Sequence, residues 1–489
     1  MPARGVRVDT PGEQPIIRRS RFPRWAWLAG LAVVAVVLFV CYVRLSGTIP
    51  DNSDGSDQAL QASDMLHGNW LLRGWTVGDV SYYTTEIPEY MIVEKIMGLG
   101  ANVIHVAAGL TYTLLVLAAG WLAKGRATGR EGVVRALVAS GILLAPQLGD
   151  GVHLLILQPD HIGTQVPLLV TFLVLDRGPR RWYIPVAIAV MLTWVIISDR
   201  VAVFDAAAPL VAVCGLRVLW ARIHHGTRLA AQWFELLLAA AGIVSFGAAE
   251  LVVAVIKHVG GYTSLPLPSK LTALSTLPAH AVLSIEGILN LYGADFVGLS
   301  PGWALVTALV HLVGVALAVA GFFLAFRRFF SAELIVPVLA VVLACYAAAL
   351  GYGAVQPPVA DSEQPVVGWL EAHHLVTGLG TYTEANVITL GSGGRVAIRT
   401  VTWWSSGAVP RAYESEASWY DPRQSYANFV VTNSADGGGA SLVPRRDILA
   451  LAGPPARTYH YKTFTIMVWN HNLLANLGSP PSALPGDIH

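Results

Sequence analysis

The stretch WAWLAGLAVVAVVLFVCYV, residues 25–43, is an apolar run that contains no charged side chain. Its length is close to the roughly 20 apolar residues that an α-helix needs to cross a bilayer. The run is too long for the hydrophobic core of a typical signal peptide, and no small-residue cleavage pattern follows it. We therefore expect it to form a retained membrane-spanning helix.

Further apolar runs of this kind follow, and together they predict the fold class. Only 13% of the 489 residues are charged and 54% are hydrophobic, whereas about a quarter of the residues of a soluble protein are charged. The sequence therefore predicts a membrane α-helical bundle of about nine transmembrane helices. The predicted spans are 25–43, 101–123, 133–148, 152–175, 182–198, 201–220, 232–256, 303–325 and 332–352.

The distribution of Arg and Lys predicts the orientation of this bundle. Basic residues of short loops are retained on the cytoplasmic side of a membrane. Here they cluster in every second connection, namely in 1–24, 124–135, 177–181, 217–228 and 327–328. This alternation predicts a multi-pass protein of the cytoplasmic membrane with a cytoplasmic basic tail, 1–24, and a membrane domain, 25–354. Its outer loops are 44–100 and 257–302, and residues 355–489 are extracytoplasmic.

The outer segments differ in character. Residues 355–489 lack a spanning run and predict a small α/β domain that folds as a soluble unit. Its stretches NVITL, RVAIRTV, NFVVTN and TFTIMVW are typical of strands, and VVGWLEAHHL is typical of a helix. The loop 257–302 is rich in Pro, Gly and Ser, which suits short helices that lie along the membrane surface.

Charge and cysteine content exclude some classes of function. A net charge of +1 gives no case for a nucleic-acid partner. The three cysteines, Cys41, Cys214 and Cys345, all fall inside predicted spans, so neither a disulfide framework nor a cysteine metal cluster is expected. Asp150, His153, Asp160 and His161 could together hold a divalent metal, but their spacing matches no zinc signature. We therefore favour neither a metal nor another cofactor.

The loop after the first span opens with DNSDGSDQALQASDMLHGNW, residues 51–70. Asp54, Asp57, Gln61 and Asp64 recur at spacings of three and four, which predicts the polar face of an amphipathic helix. We expect this helix to lie on the outer membrane surface with its carboxylates turned toward a cavity. In an alternative interpretation, Asp54 is merely the N-cap of the helix and Asp57 its acidic third residue.

The same loop gathers further acids at Asp79, Glu86 and Glu89, where no helix start is evident. Capping therefore does not explain them. Ionisable groups also occur at a predicted outer membrane edge, in IISDRVAVFDAAAP, and in the middle of a predicted span, in GAAELVVAVI. Asp199 and Arg200 either pair with each other or belong to a site, and Glu250 is expected to face the interior of the bundle, because unpaired ionisable groups are costly at such depth.

The first hundred residues resemble the membrane-embedded GT-C superfamily of glycosyltransferases. The nearest relatives by motif are the protein O-mannosyltransferases and the lipid A aminoarabinose transferases. Asp54 stands eleven residues before Met65 of MLHGNW, at the position of the family's catalytic Asp, and TEIPEY places Glu86 as the second loop acid. This sequence has Gly55 where the relatives carry a second acid, and Ile87 where they carry Lys.

The resemblance implies an enzyme that transfers a sugar from a polyprenyl-phosphate donor to a glycan, lipid or protein acceptor on the outer membrane face. Asp54 would then be the general base, and Glu86 would orient the acceptor or share its proton. Apart from the resemblance, residues 355–489 carry no catalytic constellation, so we expect them to contribute acceptor binding or lid contacts rather than chemistry. Further candidate substrate-binding residues are Asp57, Arg73, Asp79, Glu89, His153, His161, Asp199, Arg200, Lys257 and Lys270.

Two rival functions come from other classes of protein. A lipid-linked sugar flippase or transporter would be expected to show internal repeats and helices interrupted at mid-membrane. No internal repeat is apparent, and the acids lie in a loop. A catalytically inactive envelope protein that binds glycans is the other alternative.

Overall fold

The computed structural model describes residues 24–146, 156–264, 273–291, 294, 296, 302–327, 332–359, 364–404, 407–434 and 443–478. The helices of these residues are α1 (Arg24–Ser46), α2 (Ser53–Leu66), α3 (Glu86–Met97), α4 (Asn102–Lys124), α5 (Gly129–Leu143), α6 (Ile162–Arg177), α7 (Tyr183–Ser198), α8 (Ala208–His225), α9 (Trp233–His258), α10 (Leu277–Leu291), α11 (Trp303–Arg327), α12 (Ala332–Ala354), α13 (Gln364–Ala372), α14 (Tyr382–Gly391) and α15 (Arg445–Ala452). The strands are β1 (Trp75–Val77), β2 (Thr263–Ser264), β3 (Thr377–Gly380), β4 (Ala397–Trp404), β5 (Gly407–Pro410), β6 (Ser415–Glu416), β7 (Phe429–Asn433), β8 (Arg457–Tyr461) and β9 (Phe464–Val468).

Each predicted span overlaps a helix, although the helices at 133–148 and 152–175 match only in part, and not all of these helices have membrane length. Within the described residues, four helical stretches are long and apolar enough to cross a membrane, namely Trp25–Ser46, Asn102–Lys124, Val203–His225 and Leu229–His258. Shorter apolar helices cover Tyr183–Ser198, Ala304–Ala316 and Leu339–Ala354. The chain is therefore a helical protein with apolar helices that could span a membrane, while nine crossings and their orientation stay predictions.

The surface of α1 is typical of a helix that faces lipid. Tyr42 and Leu45 are buried against the bundle, whereas Trp27, Val33 and Val36 are each at least 60% exposed. Leaving apolar area in water costs about 25 cal/mol per Å². The exposed side of α1 therefore requires an apolar surrounding such as the acyl chains of a bilayer.

The C-terminal residues form the predicted α/β domain. Its six-stranded sheet has the order β5-β4-β3-β7-β9-β8, with β3 parallel to both of its neighbours and the remaining pairs antiparallel. The strands predicted in RVAIRTV, NFVVTN and TFTIMVW are present, and VVGWLEAHHL contains α13. The side chains of Phe429, Ile466 and Val366 are fully buried in its core.

The strand predicted in NVITL is wrong, because these residues belong to α14. Ala385 through Leu390 are all buried in this helix, which packs against α2 on one side and β4 on the other. A helix that is covered on opposite sides shows no polar stripe, and its apolar run resembles that of a buried strand.

A second, three-stranded sheet joins the acidic loop, the segment after α9 and the C-terminal domain. Strand β1 of the acidic loop pairs in parallel with β2, which follows α9, and antiparallel with β6 of the C-terminal domain. The backbone N–H of Tyr262 also donates to the Leu71 carbonyl at 2.8 Å. The acidic loop and the C-terminal domain are therefore tied together by backbone hydrogen bonds.

Candidate functional site

The helix predicted from the acidic loop is present as α2, but it does not lie free on a surface. Ser56, Asp57, Gln58, Ala59, Gln61 and Ala62 are all buried, because α3 covers one side of the helix and α14 covers another. The polar face predicted to line an open cavity is thus largely enclosed. Asp54, in the first turn, is the exception and is exposed.

Asp54 is not the N-cap of α2, so the capping interpretation is wrong. The cap is Asn52, whose side-chain oxygen accepts from the Gly55 backbone N–H at 2.9 Å. An N-cap oxygen satisfies one of the free N–H groups in the first turn. Since Asn52 fills this role, the Asp54 carboxylate is available for other contacts.

Asp54 contacts the C-terminal domain through Tyr382, the first residue of α14. The Tyr382 hydroxyl donates a hydrogen bond to Asp54 Oδ1, and the Ser53 hydroxyl donates one to the Tyr382 carbonyl. Burial raises the pKa of Tyr382, and the nearby carboxylates raise it further. Tyr382 therefore stays a protonated donor, and Asp54 is its acceptor.

Other charged groups surround this contact. The Arg411 guanidinium carbon lies 3.5 Å from the centroid of the Tyr382 ring and 4.1 Å from that of Tyr413, and Arg411 Nη2 lies 3.3 Å from Glu414 Oε2. Asp57 is only 2% exposed. Burial raises the pKa of Asp57, and the charge of Glu414 raises it further. Nothing in the local sequence marked Tyr382, Arg411 or Glu414 as site residues.

Asp160 connects this cluster with the loop that precedes α6. It accepts hydrogen bonds from the side-chain amides of Gln58 and Gln158, and Gln158 Oε1 accepts from the Gly55 N–H at 3.0 Å. Its two carboxylate oxygens are therefore both occupied, Oδ1 by Gln58 and Oδ2 by Gln158. The sequence had suggested Asp160 only as a metal ligand.

Glu86 begins α3, so the expectation that no helix starts there is wrong. Pro88 fits this start because the first turn of a helix needs no N–H from it. Glu86 is fully buried, and Oε1 accepts from the backbone N–H and hydroxyl of Thr164 at 2.8 and 2.9 Å. Oε2 accepts from the hydroxyls of Thr85 and Ser198. Burial raises the pKa of Glu86 to about 8, although these donors favour the charged form.

His161 and Asp199 form a pair that the sequence did not predict. His161 Nδ1 lies 2.6 Å from Asp199 Oδ2, and the Asp199 side chain is fully buried and also accepts from the Val201 N–H at 2.8 Å. His161 has a left-handed backbone with φ 54°, which is unusual outside glycine. Its side chain is 50% exposed, so a buried carboxylate orients an accessible imidazole.

The expected partnership of Asp199 with Arg200 is absent, since Arg200 bonds to Glu250 at 2.9 Å. The Glu250 side chain is 40% exposed, so it does not face the interior of the bundle as predicted. Arg200 and Glu250 instead form an ion pair in which both side chains are partly exposed.

The other predicted site residues are dispersed. Glu89 accepts from the Thr111 hydroxyl at 2.5 Å, and burial raises its pKa to about 7. Arg73 and Asp79 are exposed on the acidic loop, and Lys257 donates to the Ser264 hydroxyl at 3.3 Å. His153 and Lys270 lie outside the described residues.

In the part of the chain that the structure describes, no group of three or more His, Cys, Asp or Glu side chains is arranged to hold a metal ion. No known protein family matches this chain, and no curated protein is similar to it in sequence. The arrangement of the site itself must therefore carry any functional inference. An exposed carboxylate that accepts a hydrogen bond from a phenol is suited to proton transfer.

Proposed function

We propose that this protein is a membrane glycosyltransferase of the GT-C type, which uses a polyprenyl-phosphate-linked sugar as its donor. The observation that carries the proposal is the setting of Asp54. This carboxylate is exposed and does not cap α2, because Asn52 is the N-cap. It contacts the C-terminal domain through Tyr382. Its position also matches that of the catalytic Asp in the superfamily that the first hundred residues resemble.

In the proposed reaction Asp54 acts as the general base. An acceptor hydroxyl attacks the anomeric carbon of the donor while its proton passes to Asp54. The bond between the anomeric carbon and the phosphate oxygen breaks, and its electron pair stays on the phosphate. The Tyr382 hydroxyl fixes the Asp54 carboxylate in one orientation, which reduces the entropy lost on reaching the transition state.

The phosphate gains negative charge as it leaves, and His161 is suited to balance this charge. The buried Asp199 carboxylate orients the half-exposed His161 imidazole through its hydrogen bond, and the protonated imidazole would supply a positive charge. A cation placed where charge develops stabilises a transition state. Glu86, whose oxygens already accept four hydrogen bonds, is suited to hold α3 against α6 rather than to contact the acceptor.

A donor panel tests the proposal. Purified protein in detergent would be incubated with radiolabelled polyprenyl-phosphate sugars and membrane extract, and consumption of each donor would be followed. We expect consumption of at least one donor by the wild type, and a fall of about 10²–10⁴-fold for Asp54→Asn, because an amide cannot take up the proton.

Asp421→Asn is the control, since it removes one carboxylate of the C-terminal domain that accepts hydrogen bonds within its own turn, from the Arg423 N–H and the Gln424 side chain. It should leave donor consumption unchanged. If no donor is consumed, or if both variants behave alike, the transferase proposal is wrong. Transport of the intact donor across proteoliposomes without consumption would instead identify a flippase.

A further inference from the structure

The cluster formed by Asp54, Asp57, Tyr382, Arg411 and Glu414 has features that general-base chemistry does not require. It is assembled from the first two turns of α2, the first residue of α14 and the segment that joins β5 to β6. A base needs only one carboxylate with a donor to orient it. Here two further carboxylates and a guanidinium surround that contact.

We propose that this cluster is a subsite for the hydroxyl groups of a neutral carbohydrate, so that the acceptor is a glycan. This inference rests on the proposed function and names the class of its acceptor. It also assigns the C-terminal domain a direct part in substrate recognition through Tyr382 and Arg411.

The charge balance of the cluster fits a neutral polyol better than an ion. Three acidic side chains share one guanidinium, so the cluster offers no net positive charge to hold an anionic ligand. Burial raises the pKa of Glu414, as it does that of Asp57, while Arg411 acts to lower both. The Tyr382 hydroxyl and the Arg411 guanidinium provide donors beside the acceptor oxygens of Asp54 and Glu414.

Unsatisfied atoms in the cluster point in the same direction. Asp57 Oδ1 and Arg411 Nε are buried and have no hydrogen-bond partner among the described residues. Buried polar atoms are nearly always paired in proteins, and exceptions often mark a missing ligand or water. A sugar hydroxyl both donates and accepts hydrogen bonds. One sugar hydroxyl, or one water molecule that it orders, can therefore bond to the unpaired Asp57 oxygen and to the unpaired Arg411 N–H.

The backbone near the cluster is built to keep these groups in place. Glu414 has a left-handed conformation with φ 52°, which side chains other than glycine seldom adopt. Such strain persists where the surrounding structure enforces it, frequently at ligand sites. The Arg411 guanidinium is held between the Tyr382 and Tyr413 rings, which limits its side-chain motion before a ligand arrives.

Binding by the full-length protein in detergent tests this inference. The probes are neutral galacto-, manno- and arabino-oligosaccharides, with an oligogalacturonate as the anionic counterpart and a Ser/Thr-rich peptide as the other acceptor class. We expect one neutral series to bind, and Arg411→Gln and Tyr382→Phe each to weaken it at least ten-fold. Arg395→Gln is the matched control, because Arg395 is an exposed arginine of the same domain that pairs with Glu371.

Arg411→Lys is a second control, against the possibility that Arg411→Gln misfolds. It keeps the positive charge and loses only the planar guanidinium, so it should weaken binding less than Arg411→Gln does. Binding of the peptide alone, tighter binding of the galacturonate, or equal loss in Arg395→Gln would overturn the inference. Donor consumption with a peptide acceptor would overturn it while leaving the transferase proposal intact. Glycan binding without consumption of any donor would support the subsite and contradict the transferase proposal.

Discussion

Asp54 and Glu86 are acids of one loop that look equivalent in the sequence and differ completely in the structure. Asp54 is exposed and accepts a hydrogen bond from a residue of the distant C-terminal domain. Glu86 is fully buried, and both of its oxygens are occupied by donors from α6, α7 and its own helix start. Asp54 therefore has the access that proton exchange with a substrate requires, whereas the hydrogen bonds of Glu86 fix the relative positions of α3, α6 and α7.

This difference teaches that an acid's role follows from its access and its donors rather than from its position in a motif. A carboxylate with four donors has little capacity left for a substrate hydroxyl. A carboxylate with one donor and an open side keeps that capacity. The predictions below would break or sharpen this division of roles.

The largest expected effect is that of Asp54→Asn on transfer. The initial rate of sugar transfer should fall about 10²–10⁴-fold, while the melting temperature in detergent stays near that of the wild type. Asn preserves the size of the side chain and can still accept from Tyr382 through its amide oxygen. Transfer at the wild-type rate by a well-folded variant would place the base elsewhere and remove the contrast with Glu86.

Gly163→Ala tests the structural role of Glu86. A methyl group at position 163 would lie 2.6 Å from Glu86 Cγ and 2.9 Å from Glu86 Oε1, so the packing around this carboxylate must shift. We expect a loss of stability of about 1–3 kcal/mol, seen as a lower melting temperature. Gly247→Ala is the control, because nothing lies within 4 Å of its added methyl group. Equal melting temperatures for the two variants would show that Glu86 is not tightly held.

The pH dependence of stability tests the burial of acids in α3. Burial raises the pKa of Glu94 from its ordinary 4.5 to about 8. Between about pH 4.5 and pH 8, Glu94 is therefore protonated in the folded state and ionised in the unfolded state. The free energy of unfolding falls as the pH rises through this range, because the folded state binds more protons. Glu94→Gln cannot ionise and should raise the melting temperature at pH 8 with little change at pH 4.5. A variant that is no more stable than the wild type at pH 8 would contradict this burial penalty.

The smallest effect is expected for Asp64→Asn, in the same helix as Asp54. Asp64 Oδ2 accepts from Asn69 Nδ2 at 2.6 Å and from Trp75 Nε1 at 2.7 Å, so its role is to fix the loop after α2. An Asn oxygen can keep part of this arrangement, and the loss should be about 0.5–1.5 kcal/mol in unfolding free energy. Donor consumption should not change. A loss of activity as large as that of Asp54→Asn would show that the acids of α2 act as one unit.

Much of the fold was predictable from the sequence because it depends on local patterns. Long apolar runs predicted helices near their observed bounds, and three of the four predicted strands of the C-terminal domain are present. The helix at residues 53–66 followed from the spacing of its acids. Local prediction failed at α14, where burial on opposite sides removed the helical stripe. It also failed at the start of α3, whose N-cap, Thr85, makes no side-chain capping hydrogen bond.

The sequence by itself determined that this is a helical protein with membrane-compatible apolar segments, an acidic loop after the first of them and a C-terminal α/β domain. Only the tertiary structure decided which acids are accessible and which partners they have. Tyr382 lies 328 positions after Asp54, and His161 lies 38 positions before Asp199. Such pairs depend on how the chain folds back on itself, and no local pattern of hydropathy or charge specifies them, because side-chain pairing is set by the packing of whole elements in space.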